Sequence, residues 1–415
     1  MVSRLTKKTG LVLLAALIVG IPVLCGCGGD GGGAATDIVI GIESDFTGPS
    51  ASALIEVHWG MLDALDELQA QDPIPGARIK YITYDDKLDY SRAPIGYAWL
   101  KGQGAVMMYY SNSYVLDIVV DKMEQDHILG YTNQATPTLM SSDWIFTLAP
   151  SYHAEARSLM EWILNTYWPS QQAGRPPKIG YIGFSGMASD TTYRDVYNAM
   201  LAESPGSFEL VAQSAPMGTT AFATEIQKLQ NCDMIVLNIF GGGLASFLKE
   251  ARNRGYDGPF MGGTVSFLGF WKVVRDAVPL DLLYDCYYIH MGSWWTDPNS
   301  FWADLKEKVV EYRPKEADDI FLQGGYGSGW LQTVIYHELA KIAVAEVGPE
   351  NVDGLALKNA LSKLELDVAG YGETWKMHED GSNILHRMFL MRKYSVADDE
   401  WYADSDWFMP TDLGG

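Results

Sequence analysis

Three polar residues in a row, Ser111-Asn112-Ser113, follow the apolar run Ala105-Val106-Met107-Met108-Tyr109-Tyr110 and precede a helical run from about Tyr114 to Gln125. The start of a helix leaves its first backbone N–H groups without intrahelical partners. Those groups, together with two hydroxyls and an amide, form a cradle for a carboxylate. Thr136, on the loop after the next strand, adds a hydroxyl donor. Capping of the helix by Asn112 or a serine is the competing use of the same residues, and the two uses are compatible. Catalytic patterns find less support. The chain has no His-Glu-x-x-His, Cys-x-x-Cys or Gly-x-Ser-x-Gly. Its seven histidines (58, 127, 153, 290, 337, 378 and 386) are scattered rather than set at metal-ligand spacing. The Gly180-Tyr181-Ile182-Gly183-Phe184-Ser185-Gly186 run has the wrong glycine spacing for a dinucleotide turn. Adjacent Asp85 and Asp86 on a strand would point to opposite faces, which makes a poor acid–base pair. The expectation is binding rather than catalysis, with no cofactor and no metal.

The elements that must position these loops alternate strand and helix. Ile38-Val39-Ile40-Gly41-Ile42 reads as a buried strand. Leu54, Val57, Met61, Leu62, Leu65 and Leu68 share one face of a helix over 54–70. Strands at 78–84, 105–110 and 128–131 follow, separated by helices around 91–102 and 114–125. A second cycle begins after Pro150: helix 152–167, strand 178–184, helix 190–203, strand 208–214, helix 220–230, strand 234–240, helix 244–254, strand 259–263, helix 267–277 and strand 284–291. Helices over 299–313, 326–347 and 353–364 come next, and strand pairs over 367–396 with a turn at Glu379-Asp380-Gly381-Ser382. Such an order predicts two α/β units with parallel sheets, and a ligand in the cleft at the carboxyl ends of their strands.

Composition sets the limits. The chain has 415 residues, enough for two domains, and is 47% hydrophobic and 20% charged. A formal net charge of -22 disfavours nucleic acid as a partner. Arg4, Lys7 and Lys8 precede an apolar run, Leu11 to Leu24, that is short for a membrane span. This is the layout of an export signal. It ends in Leu24-Cys25-Gly26-Cys27, which resembles a bacterial lipobox with Cys27 as the acylated residue. Residues 1–27 are thus read as a lipoprotein signal and the Gly-rich 28–36 as a flexible tether. The remaining cysteines, Cys232 and Cys286, lie in apolar runs and read as small buried residues, with a disulfide as the alternative.

The opening Ile40-Gly41-Ile42-Glu43-Ser44-Asp45-Phe46-Thr47-Gly48-Pro49 is similar to that of the branched-chain amino-acid (Leu/Ile/Val) binding family, type 1 periplasmic binding proteins that serve ABC transporters. Tyr84-Asp85-Asp86, Ser111-Asn112-Ser113, Gln134-Ala135-Thr136-Pro137, Phe260-Met261-Gly262-Gly263 and Gln323-Gly324-Gly325-Tyr326-Gly327 resemble further segments of it, from about Asp37 to Val396. The resemblance implies two Rossmann-like lobes around a ligand cleft, joined by three crossovers near 150, 293 and 366. Lobe 1 takes 37–150 plus 294–365, lobe 2 takes 151–293 plus 366–398, and 399–415 is a tail. It also implies that Ser113 and Thr136 hold a ligand carboxylate, that Gln134 contributes through its backbone, and that Phe240 packs an aromatic ring on the ligand. Ser111 and Asn112 complete that loop. Thr264 stands where amino-acid binders place an acid for the ligand ammonium, a departure that argues against an ordinary aliphatic amino acid. Asp45 and Asp190, on other loops, are candidates to supply that charge, with a loop or helix-start role as the alternative. Phe46, Trp294, Trp295 and Tyr326 are candidate aromatic walls, and Tyr193 is expected one turn into its helix.

The resulting expectation is a monomeric, lipid-anchored, extracytoplasmic protein. It captures a small amino-acid-like carboxylate or amide by hinge closure and delivers it to an ABC permease. A ligand-sensing module coupled to a signalling partner is the alternative.

Overall fold

The computed structural model describes residues 35–378 and 382–413. The export signal, the Cys27 lipidation site, nearly all of the 28–36 tether and most of the 379–382 turn lie outside the described residues.

The first sheet contains five parallel strands in the order β2-β1-β3-β4-β5. They are β1 (Thr36–Ser44), β2 (Ala77–Asp85), β3 (Met107–Tyr110), β4 (Leu129–Thr132) and β5 (Ile145–Thr147). β1 lies between β2 and β3, so Ile38, Ile40 and Ile42 are all buried. The helices of this part are α1 (Ala51–Gln71), α2 (Ala93–Gly102), α3 (Ser113–Asp126) and the short α4 (Pro137–Met140). α1 packs against the long helix Gly325–Val347, which returns from far along the chain. Glycines make this contact close: a Cβ on Gly60 would sit 2.1 Å from the Tyr326 carbonyl oxygen, and one on Gly329 1.9 Å from that of Val57. Glycine inside a helix costs about 1 kcal/mol relative to alanine, so it is kept here for the approach it permits.

The second sheet has the order β14-β13-β10-β9-β8-β6-β7. α5 (Tyr152–Trp162) leads into it. Its parallel strands are β6 (Lys178–Ser185), β7 (Glu209–Pro216), β8 (Met234–Asn238), β9 (Phe260–Gly262) and β10 (Cys286–His290). A two-residue pair, β11 (Glu365–Leu366) with β12 (Trp375–Lys376), stands apart. β13 (Leu390–Ser395) and β14 (Glu400–Ala403) close the second sheet antiparallel. The strand pairing expected within 367–396 is thus replaced by pairing of β13 with β10 and β14, and residues 399–415 contribute an edge strand. The chain also stays beside the first sheet well past 366, since the Leu385 N–H donates to the Thr147 carbonyl at 2.9 Å.

The chain is therefore α/β, two Rossmann-like lobes with a cleft between them. The connections run from β5 to α5, out of β10, and back into β13. Cys232 and Cys286 are free and buried, and burial pushes their thiols up to about 11 and about 12. Among the described residues, no helix is long and apolar enough to cross a membrane.

Candidate ligand-binding cleft

Most of the loops that reach the cleft leave the carboxyl end of a strand, as the topology of parallel sheets favours. Ser50 and Leu54 follow β1, and Ser111, Asn112 and Tyr114 follow β3. Asn133 and Gln134 follow β4; Met187 and Ser189 follow β6. Phe240 follows β8, Thr264 and Leu268 follow β9, and Gly292 and Ser293 follow β10. The space they enclose is about 1430 Å³, open solvent included. The walls are mostly hydrocarbon: Val57, Leu148, Val265, Phe270, Met291 and Leu331 lie beside those residues. None of the described lining residues is Asp, Glu, Lys or Arg.

The polar groups in the cleft are neutral, and three of its hydroxyls are without partners among the described residues. The hydroxyls of Ser111, Tyr114 and Ser189 are buried and make no hydrogen bond. A buried hydroxyl left unpaired costs roughly 1–3 kcal/mol, so a ligand that pairs with it recovers that energy on binding. Asn112 is the N-cap of α3, its side-chain oxygen accepting from the Tyr114 N–H at 2.9 Å. The cap and the cleft therefore use the same residue. Burial pushes the Tyr152 hydroxyl, also on the wall, up to about 12.

Five of the ten site residues expected from sequence line this cleft: Ser111, Asn112, Gln134, Phe240 and Thr264. Five do not. The Ser113 side chain turns beneath the wall to the Tyr152 hydroxyl. Thr136 caps α4 by accepting from the Leu139 N–H, and its hydroxyl donates to Asp117 at 2.6 Å. Asp190 is held by Tyr181 at 2.8 Å and Arg194 at 3.0 Å. Tyr326 is buried against α1, its hydroxyl donating to Asp63 at 3.0 Å. The Phe46 ring packs edge-on against His58. Asp45 spends its carboxylate on the Gly48 and Ser50 N–H groups of its own loop. Trp294 and Trp295 are buried in a shared apolar core, Trp295 packing on Trp302 and Phe321. A side chain facing the wrong way on the right loop is the common reason: neighbouring residues on a helix differ by about 100° of azimuth.

Gln134 and Thr264 converge on a residue that sequence did not single out. Glu155, in the first turn of α5, is fully buried. Its Oε2 accepts from Thr264 Oγ1 at 2.6 Å, the Thr264 N–H at 3.2 Å and Gln134 Nε2 at 2.9 Å, and its Oε1 from the Tyr193 hydroxyl at 2.5 Å. Burial raises its carboxyl, and these donors work against that rise. An acid thus stands directly behind Thr264, already saturated by protein donors. Gly263 permits it, since a Cβ there would sit 2.0 Å from Glu155 Oε1.

Three further acids cluster near the mouth. Carboxylate oxygens of Asp45, Asp85 and Asp86 lie within 4.8 Å of one another, and each accepts loop N–H groups. The site residues missed from sequence are Tyr114, His290, Gly292, Ser293 and Tyr371. A histidine closing an apolar strand, Cys286-Tyr287-Tyr288-Ile289-His290, was the one visible signal among them.

Two parallel-sheet lobes with such a cleft define a solute-binding protein fold. The periplasmic binding protein family model matches residues 37–395, and the chain belongs to that family. Membership carries an extracytoplasmic location. No curated protein sequence matches the chain. Among solved structures, it is similar to a fatty acid ABC transporter substrate-binding protein from Thermomonospora curvata, at 16% identity and TM-score 0.78, covering 91% of this chain and 94% of that one. A branched-chain amino acid ABC transporter protein from Thermus thermophilus with bound valine aligns at 13% identity and TM-score 0.75, covering 92% and 98%. The Streptococcus pneumoniae branched-chain amino acid binding protein in complex with isoleucine aligns at 16% and 0.71, covering 90% and 100%.

Proposed function

We propose that the protein captures an amphipathic acid or amide, an apolar body with one acceptor-bearing head, and hands it to an ABC permease. In this reading the protein is held at the membrane by acylated Cys27, closes its two lobes on the ligand, and performs no chemistry on it. The observation that supports it is the lining: hydrocarbon walls, unpaired neutral hydroxyls and no formal charge. An ammonium group needs a carboxylate or several acceptors once it leaves water. The nearest acid, Glu155, has its oxygens occupied by Gln134, Tyr193 and Thr264. This favours a ligand like that named for the Thermomonospora protein over the valine and isoleucine of the other two relatives.

The test is mass spectrometry of small molecules released from the purified protein, with thermal-shift titration of octanoate, octanamide, 4-phenylbutyrate, L-leucine and glucose. The expected result is a saturable rise in melting temperature with the acids or amide. A rise with L-leucine or glucose alone overturns the reading.

A further inference from the structure

His290 ends β10, where the chain leaves the second lobe, and lines the cleft. Its Nδ1 accepts a hydrogen bond from Arg392 Nε at 2.9 Å. A guanidinium has only donors, so this bond requires a lone pair on Nδ1 and places the ring proton on Nε2. Arg392 is itself fixed. It is fully buried on β13, donates to both oxygens of Asp297 at 2.9 and 2.6 Å, and donates to the Gly292 carbonyl at 3.0 Å. The Asp297 carboxylate balances the guanidinium, and a second positive charge on the imidazole has no acid to meet it there. The other groups around the ring are Tyr288, whose hydroxyl is 3.5 Å from Nδ1, Trp294, and His386, which pairs with Glu373 at 3.2 Å. Burial and the Arg392 charge hold His290 well below the ordinary histidine range.

The free edge of the ring faces Gly292, which also lines the cleft. A Cβ at Gly292 would stand 3.2 Å from His290 Nε2 and 3.5 Å from the Tyr371 hydroxyl. Glycine therefore leaves the Nε2 edge of His290 uncovered. Among the described residues, no protein hydrogen bond to His290 Nε2 is formed.

Building on the cleft as the binding site, we propose that His290 is a ligand-contacting residue: the Asp297–Arg392 pair fixes it as a neutral Nε2–H donor that recognises an acceptor oxygen of the ligand. Because its acceptor nitrogen is occupied, this position rejects a group that can only donate, such as an ammonium. It thereby selects acids, amide carbonyls and ethers.

The experiment uses octanoate with the full mature protein. Nitrogen-15 ring spectra at neutral pH are expected to show the Nε2–H form of His290, its resonance moving on addition of octanoate. H290F is expected to lose at least about tenfold in octanoate affinity. H290Q, which can accept from Arg392 and still donate, is expected to stay within about threefold of wild type. Octanoate binding equally to H290F and wild type overturns this assignment and leaves the cleft reading standing. Failure of octanoate and its relatives to bind wild type overturns the cleft reading instead. Should H290F not fold, the spectra decide: an Nδ1–H or doubly protonated ring contradicts the proposal.

Discussion

Gln134 Nε2 donates to Glu155 Oε2 at 2.9 Å, joining the loop after β4 in the first lobe to the first turn of α5. Tyr193 and Thr264 of the second lobe meet the same carboxylate, so one buried acid gathers both sides of the cleft floor. Glu155→Ala would leave three side-chain donors unpaired in a buried site. The expected cost is on the order of 3 kcal/mol in chemical denaturation, most of which a double variant with Thr264→Val should not add to. Simple additivity of the two would argue that the network is not coupled.

Glu43 gives a pH dependence with a definite sign. It is the penultimate residue of β1, its carboxylate oxygens are buried without a partner among the described residues, and burial, then the neighbouring Asp86, push it up to about 9. The folded state thus holds a proton that the unfolded chain releases near its ordinary value of 4.5. The contribution to stability is complete below that value and is lost as pH rises from it toward 9. Glu43→Gln removes the loss. It should stabilise the protein at pH 8 by on the order of 1–3 kcal/mol while changing little at pH 4, as read from urea midpoints. An equal effect at both pH values would contradict the buried proton.

The cleft hydroxyls and the Thr136 hydroxyl should separate binding from stability. Ser111→Ala, Tyr114→Phe and Ser189→Ala each remove a buried polar atom that has no protein partner. Their melting temperatures should hold or rise while octanoate affinity falls about tenfold for those that meet the ligand head. Thr136→Ala removes a helix cap and the partner of Asp117. It should cost about 1–2 kcal/mol and leave affinity within about twofold. The reverse pattern would place the ligand on the Thr136 loop, as the sequence resemblance implied.

The close approach of α1 to the helix Gly325–Val347 positions Val57, Gly325 and Ser328 on one wall. Gly329→Ala drives a methyl into the Val57 carbonyl and should destabilise by on the order of 3 kcal/mol. Gly242, which has open space around it, is the control: alanine there should be tolerated.

The alternation of apolar β-runs with amphipathic helices made the two-lobe fold legible, because burial on both faces of a parallel strand demands a continuous apolar run. β5 and β14 escaped notice: Ile145–Thr147 is only three residues, and Glu400–Ala403 is a polar edge strand. For the site, strand ends locate loops but not side-chain azimuths. Ser111 and Asn112 face the cleft while Ser113 turns away, and Gly325 faces it while Tyr326 packs inward. His290 owes its orientation to Arg392, 102 residues further along the chain, which no local pattern reveals.

Calorimetric titration of matched ligands differing only in head charge tests the account most directly, with 4-phenylbutyrate, 4-phenylbutyramide and 4-phenylbutylamine as the series. A cleft built from hydrocarbon and fixed neutral donors predicts binding of the acid and amide and none of the amine. Tight binding of the amine with no response to the acid or amide would contradict it.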